Sequence, residues 1–141
     1  MSDLYQTDLL RMAAAADGAG RLDEPHATAT LDNPLCGDRV TMDIRLDGDR
    51  ITALAHETKA CVVCQAASAV IARHAEGLTA ERLAGERAAV DALLKGEEPR
   101  QGHWAELDVF RPVAKVKSRH ACVRLPFGAL EAAFTASKAA S

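Results

Sequence analysis

Apolar residues change their spacing several times along the chain, and each change marks an element. Leu4, Leu9, Leu10, Met12 and Ala13 approximate one helical face between Leu4 and Ala16, with Gly18 and Gly20 as the stop. Ala19 to Pro25 has the composition of a loop, after which Ala27, Ala29 and Leu31 alternate with Thr28 and Thr30 as in a half-buried strand. A clearer period of two follows, with Val40, Met42, Ile44 and Leu46 set against Thr41, Asp43 and Arg45. Asp47-Gly48-Asp49 turns this strand into a returning one from Ile51 to Thr58, which makes a hairpin. With the strand before it, the hairpin predicts a small three-stranded antiparallel sheet.

At Lys59-Ala60-Cys61 the period becomes helical. Val62, Val63, Ala66, Ala67, Val70 and Ile71 predict a helix that runs to Gly77 and has Cys61 at its N-terminus. Thr79 suits the cap of the next helix, whose Leu83, Val90, Leu93 and Leu94 face inward until Gly96 and Pro99 end it. Trp104, Leu107, Val109 and Phe110 form a short apolar patch before Pro112, with Trp104 in the core. Val113 to Arg119 is basic and reads as extended or irregular. The last helix is expected to begin near Cys122, with Pro126 in its first turn and Phe127, Leu130 and Phe134 on one face. The alanine-rich end from Ala136 is expected to fray. No internal repeat is visible. The class is α+β, a small antiparallel sheet packed against several helices.

Composition narrows the partners. The 141 residues fit a single domain, 1–141, and carry a net charge of −3 with both signs mixed. No polybasic footprint points to nucleic acid or to an anionic membrane surface. Apolar residues make up 48% of the chain but aromatic ones only 4%, so the core is expected to be aliphatic and the helix packing to use small residues. No apolar run reaches the roughly 18 residues that span a bilayer, and Met1 to Asp8 lacks a signal-peptide pattern, so a cytoplasmic protein is expected. In that compartment Cys36, Cys61, Cys64 and Cys122 read as thiols or metal ligands, not as a disulfide framework.

The chemistry concentrates in Asn33-Pro34-Leu35-Cys36-Gly37-Asp38. Pro34 fixes its own φ, Gly37 permits turn geometries, and Asn33 and Asp38 bond to local backbone, so the loop is shaped. A thiol and a carboxylate two residues apart can share a cation if further ligands arrive from Cys61, Cys64 or Cys122. A surface turn whose cysteine is only a small buried hydrophobe has the same pattern. Cys61 and Cys122 fall at helix N-termini, where unpaired amides favour the thiolate that binds metals and attacks sulfur. Cys61-x-x-Cys64 has no second pair to complete a zinc ribbon and no βαβ context for a thioredoxin-like redox motif.

Together these motifs carry a family resemblance. Asn-Pro-Leu-Cys-Gly-Asp at 33 to 38, Ala60-Cys61 followed by Ala66-Ala67-Ser68, and Arg119-x-x-Cys122-x-x-Leu125 resemble the signature of the IscU, SufU and NifU amino-terminal-domain family. Leu4-Tyr5 and Gly20-Arg21-Leu22 are similar to that family's opening, and the long interval from Cys61 to Cys122 is similar to SufU, longer than in IscU. The resemblance implies a site of Cys36, Asp38, Cys61 and Cys122 that accepts sulfur from a SufS-like cysteine desulfurase and holds iron or a transient Fe-S cluster for downstream acceptor proteins. It also implies zinc at that site in isolated protein. The alternative within the same family is a zinc-bound sulfurtransferase that relays persulfide sulfur, with Cys36 as the persulfide acceptor. Soft thiolates suit both cargoes, and the oxygen of Asp38 is the weaker, more exchangeable ligand.

The chain departs from the pattern in places. Ala121 stands where IscU has a histidine, and His120 lies one position away, where a solvated or locally bonded role is the ordinary one. The chaperone-recognition motif of IscU is only loosely matched by Arg111-Pro112-Val113-Ala114-Lys115. Arg119 fits the family's arginine, suited to anionic sulfur or to a surface ion pair. Cys64, one turn from Cys61, reads first as helix packing and second as a resolving thiol. His26, His56, His74 and His103 match no motif and read as ordinary polar residues.

Overall fold

The structure is a computed structural model that describes residues 7–34 and 37–140. Leu4, Tyr5 and Cys36 lie outside the described residues. Three strands, β1 (Ala27–Asn33), β2 (Asp38–Asp47) and β3 (Arg50–Lys59), form an antiparallel sheet in the order β1-β2-β3. Alternation decides its faces. Val40, Met42 and Ile44 are buried toward the helices, opposite Leu31, Ala29 and Ala27 on β1 and Thr58, His56 and Leu54 on β3. The other face is polar, and its one fully buried acid is Asp43. Its carboxylate accepts from Arg21 Nε (2.6 Å), Thr28 Oγ1 (2.6 Å) and the Leu22 amide (3.1 Å). Burial alone would raise the pKa of Asp43, but these donors outweigh it and hold the carboxyl below its ordinary value.

Of the four α-helices, α2 (Val62–Arg73) and α4 (His120–Ala140) cover the inner face, while α1 (Thr7–Ala15) packs on α2 and α3 (Ala80–Leu94) packs on α4. On α1, Leu9, Met12 and Ala13 are buried while Leu10, expected on the same face, is 44% exposed, because positions 9, 12 and 13 define a stripe that excludes 10. Thr79 caps α3 as expected, its hydroxyl accepting from the Arg82 amide (3.1 Å). The stretch expected to be plain loop after α1 does more than connect. Gly18 O accepts from His56 N (2.9 Å) and His56 O from Gly20 N (2.8 Å), so Ala19 forms a parallel bridge with His56 on the outer edge of β3.

α4 packs on β1, β2, α2 and α3 and is the central element. It starts two residues before Cys122, so Pro126 sits in its second turn, not its first. Proline has no N–H for the carbonyl four residues back, that of Cys122. Gly128 faces β1 closely; a Cβ there would stand 3.1 Å from Leu31 Cδ1. The alanine-rich end from Ala136 is helical through Ala140. Phe134 is buried, Ala136 packs against the core, and Ser137 Oγ donates to the Phe134 carbonyl (2.6 Å), which carries the helix on to Ala140.

The basic stretch read as extended is helical: Ala105–Lys115 and Lys117–Arg119 form 3-10 helices. Trp104, Leu107, Phe110 and Val113 are all buried, and their spacing of three is the 3-10 period, at which side chains eclipse along one face. This segment is latched to α3 by the buried Glu86, which accepts from the Trp104 amide (2.7 Å) and from Arg82 Nε (2.8 Å). Trp104 stacks on His74 with ring centroids 4.5 Å apart.

His56 is no ordinary surface histidine. It is buried, its Nε2 lies 2.8 Å from the Asp17 carbonyl, and its Nδ1 lies 2.9 Å from Thr58 Oγ1, which is 2.8 Å from the buried Ser68 Oγ on α2. The carbonyl can only accept, so Nε2 carries the proton, Thr58 donates to Nδ1, and Ser68 donates to Thr58. A chain of hydrogen bonds thus ties α2, β3 and the loop after α1 together.

Two outcomes follow from this packing. Phe110→Ala is expected to destabilise by about 3–5 kcal/mol in denaturant titration, while Lys115→Ala, on the outer side of the same 3-10 helix, stays within about 0.5 kcal/mol. Burial lowers the pKa of His56 below 6.5, against the opposing Asp17 contact. The unfolded chain therefore takes up this proton first as pH falls below 6.5. Stability should drop between pH 7 and pH 5 more steeply in the wild type than in His56→Gln, as read by thermal midpoints.

Candidate metal centre

Asp38, Cys61 and Cys122 come from a strand start, a helix cap and a helix first turn. Asp38 belongs to β2, not to the loop in which the sequence placed it. It pairs in register with Asn33, and the Gly37 amide donates to the Asn33 carbonyl (2.9 Å), closing the four-residue connection 34–37 with Gly37 at φ +73°. Strand alternation then fixes its direction. Asp38 shares the inner face with Val40 and Met42 and is only 5% exposed.

Cys61 is the N-cap of α2, with the extended backbone (φ −67°, ψ 169°) of that position, and makes no side-chain cap bond, so its sulfur is left for other partners. Gln65 fixes the strand-to-helix turn, its Nε2 donating to the Ala60 carbonyl (3.0 Å) and its amide to the Cys61 carbonyl (3.0 Å). Cys122, in the first turn of α4, is fully buried.

One donor atom from each of the three residues lies within 4.8 Å of the others. The Cys122 thiol donates to Asp38 Oδ2 at 3.1 Å. A helix first turn was expected to favour the thiolate at Cys122, but the opposite holds. Burial comes first and the adjoining Asp38 and Cys61 follow in pushing its pKa up, so the proton stays on sulfur. The dipole of one helix end does not offset removal from water beside a carboxylate.

The donor set suits a thiophilic cation. Tetrahedral zinc with donors at about 2.0–2.3 Å holds them about 3.3–3.8 Å apart, so the three atoms need to close by little more than about an ångström. Two sulfurs and an oxygen equally suit iron, and a cation reverses the local preference for the protonated thiol.

Other candidates are placed elsewhere. Cys36 lies outside the described residues. Cys64 is fully buried in the core through α2, where burial above all raises its pKa, and it is not part of the described donor cluster. His120 turns back on the chain, with Nε2 3.1 Å from the Val113 carbonyl and 3.2 Å from that of Ala114. Arg119 is half-buried. The inward direction of Asp38 was readable in principle, because the alternation of Val40, Met42 and Ile44 extends back to position 38.

Residues 4–123 match the family described as the NifU-like N-terminal domain. Over 141 aligned residues the chain is 29% identical to the iron-sulfur cluster assembly scaffold protein IscU of Streptococcus pyogenes serotype M1, covering 95% of this chain and 88% of that protein. It is 24% identical over 102 residues to the zinc-dependent sulfurtransferase SufU of Bacillus subtilis strain 168, covering 72% of this chain and 69% of that one. The crystal structure of a NifU-like protein (N-terminal) from Brucella abortus matches with a TM-score of 0.91 at 35% identity, covering 99% of this chain and 98% of that chain. That of FiSufU from Fervidobacterium islandicum AW-1 shares the fold, with a TM-score of 0.85 at 24% identity over 93% of this chain and 96% of that one. The chain belongs to the NifU-like N-terminal domain family, to which its cysteine motifs had pointed.

Proposed function

We propose that this protein is an iron-sulfur cluster assembly scaffold, with Cys36, Asp38, Cys61 and Cys122 as its ligands. The observation that carries this reading is the convergence of Asp38, Cys61 and Cys122 within 4.8 Å from three separate elements. The named function of the Streptococcus pyogenes relative supports it. Cys36, two residues from Asp38 in the chain, supplies the fourth ligand and is the acceptor of sulfur. A SufS-like cysteine desulfurase is the donor, and downstream iron-sulfur proteins are the recipients.

Sulfur enters by thiol exchange. The Cys36 thiolate attacks the terminal sulfur of the donor's persulfide, a new S–S bond forms, and the donor's cysteine leaves as thiolate. Iron binding requires Cys122 to lose its proton, and Asp38 Oδ2, already bonded to that thiol at 3.1 Å, is its first acceptor on the way to solvent. Thiolates hold iron through soft donor bonds, while Asp38 supplies the weaker oxygen ligand at which cargo exchange can begin.

The same donors fit zinc, and a relative carries the name zinc-dependent sulfurtransferase, so a sulfur relay is the second reading. Zinc would supply Lewis acidity and hold the thiolates; Cys36, Asp38, Cys61 and Cys122 would be its ligands. No helix among the described residues is long and apolar enough to cross a membrane.

Anaerobic incubation with a cysteine desulfurase, cysteine and ferrous iron tests the two readings together. The scaffold predicts new visible absorption with bound iron and sulfide in the wild type, lost in Cys36→Ala and Cys122→Ala but kept in Cys64→Ser. Retained zinc, no cluster and faster desulfurase turnover would make the relay the better account. Asp38→Ala is expected to weaken zinc retention against a chelator by at least about 10–100-fold, and retention equal to the wild type would remove Asp38 from the ligand set.

A further inference from the structure

Cys64 is a fully buried thiol that the site above does not use. Apolar packing with Val63, Ala67 and Ile71 of the same helix accounts for its burial, but not for its place opposite Cys61. Cys61 is the N-cap and α2 begins at Val62, so Cys64 is the third helical residue. Side chains at these two positions meet across the first turn, as those of a capping box do. The Gln65 amide closes that turn on the Cys61 carbonyl (3.0 Å), while the Cys61 side chain makes no cap bond. Helical residues three apart have Cα atoms about 5 Å from each other, within the range of about 4.4–6.8 Å that a disulfide spans.

The two sulfurs differ in access. Cys61 is half-buried at the strand-to-helix turn, whereas Cys64 is shielded one turn below it. An outer thiol that reacts and an inner one that resolves it is the division of labour of a Cys-x-x-Cys pair at a helix N-terminus. Cys64 also borders the donor cluster. After burial, the charges of Asp38, Cys61 and Cys122 are what raise its pKa, so the buried thiol lies beside all three donors. Cys122 is the rival partner for Cys61, but it comes from α4, which Phe127, Leu130 and Phe134 hold in the core. Bonding it to Cys61 draws two packed helices together, whereas Cys64 shares a helical turn with Cys61.

We propose that Cys61 and Cys64 form a reversible oxidation site, whose disulfide withdraws Cys61 from the donor set and so releases the metal; this rests on the scaffold reading above. The oxidant is a peroxide. The Cys61 sulfur attacks one peroxide oxygen, the O–O bond breaks with loss of hydroxide, and a sulfenic acid forms. The Cys64 sulfur then attacks the Cys61 sulfur, the S–O bond breaks with loss of a second hydroxide, and the S–S bond forms. Overall the two thiols give up two electrons and two protons, and hydrogen peroxide becomes two waters. Without a resolving thiol the sulfenic acid goes on to sulfinic acid, which thiols do not restore. Cys64 therefore makes the loss of metal reversible.

The experiment treats the zinc-loaded full chain with hydrogen peroxide, then with a phosphine reductant and fresh zinc, and measures bound zinc at each stage. The tryptic peptide Ala60–Arg73, which carries Cys61 and Cys64 and neither of the other cysteines, is weighed alongside. In the wild type, zinc should leave as this peptide becomes lighter by two hydrogens and resists iodoacetamide, and reduction should restore zinc binding. Cys64→Ser should also lose zinc, but with oxygen added to Cys61 and about tenfold less zinc regained after reduction. Cys64→Ala supplies the same comparison if serine unfolds the core, with the thermal midpoint recorded for each variant. Cys61 joined instead to the peptide of Cys36 or Cys122, or a Cys64 variant that recovers as the wild type does, would overturn the oxidation site and leave the scaffold standing. Zinc retained although the Cys61–Cys64 disulfide has formed, or no zinc bound at the outset, would overturn the scaffold reading and the oxidation site together.

Discussion

The contact between Cys122 on α4 and Asp38 on β2 joins residues 84 apart in the chain, and the site exists only where that contact is held. A thiol–carboxylate hydrogen bond is too weak to hold a helix against a sheet by itself. The apolar side of α4 does so. Phe127, Leu130 and Phe134 are buried among Val40, Met42 and Ile44 of the same core, and Gly128 lets the helix come close to Leu31. Burying three such side chains outweighs one polar contact several-fold. The packing thus sets the register, and the hydrogen bond is what that register brings together.

β2 carries two buried aspartates, and the comparison between them separates structure from chemistry. Asp43 faces outward and is saturated by a guanidinium, a hydroxyl and an amide, the satisfied state expected of a buried charge. Asp38 faces inward, five positions earlier and so on the opposite side, and its described partner is the Cys122 thiol. Burial keeps the proton on that thiol. Two acids set together out of water, one still protonated, favour a cation that would share their donor atoms. The difference is one of partners, since both side chains are nearly inaccessible.

Most of the sheet was legible because periods of two and short Gly-containing turns are local signals, as at Val40 to Leu46 and Asp47-Gly48-Asp49. Cys61 as a helix cap and Thr79 as another were legible for the same reason. Other features were not. The 3-10 helix from Ala105 hides its period of three behind Pro112 and a run of basic residues, and its stability comes from burial under α3, which no local window contains. His56 resembles any polar residue in a strand until Ser68 and the Asp17 carbonyl, both distant in sequence, arrive around it. The site was legible as a set of residue types, but the protonated state of Cys122 was not. Position in a helix first turn argues for thiolate, and only the tertiary structure shows that burial against Asp38 wins.

The three described donors differ in their access to solvent, and that difference bears on how a site can both hold and release a cargo. Cys122, in the first turn of α4, is fully buried, Asp38 is 5% exposed, and Cys61 is half-buried at the strand-to-helix turn. A ligand from another protein can reach the Cys61 side without disturbing α4, whereas reaching Cys122 requires unpacking the helix that organises the core. A cation held by these donors would be approached by a competitor from the Cys61 edge, would loosen first at the weaker Asp38 oxygen, and would keep Cys122 as its last attachment. A centre built only for permanence would bury every donor alike, and this one leaves a thiol at its mouth.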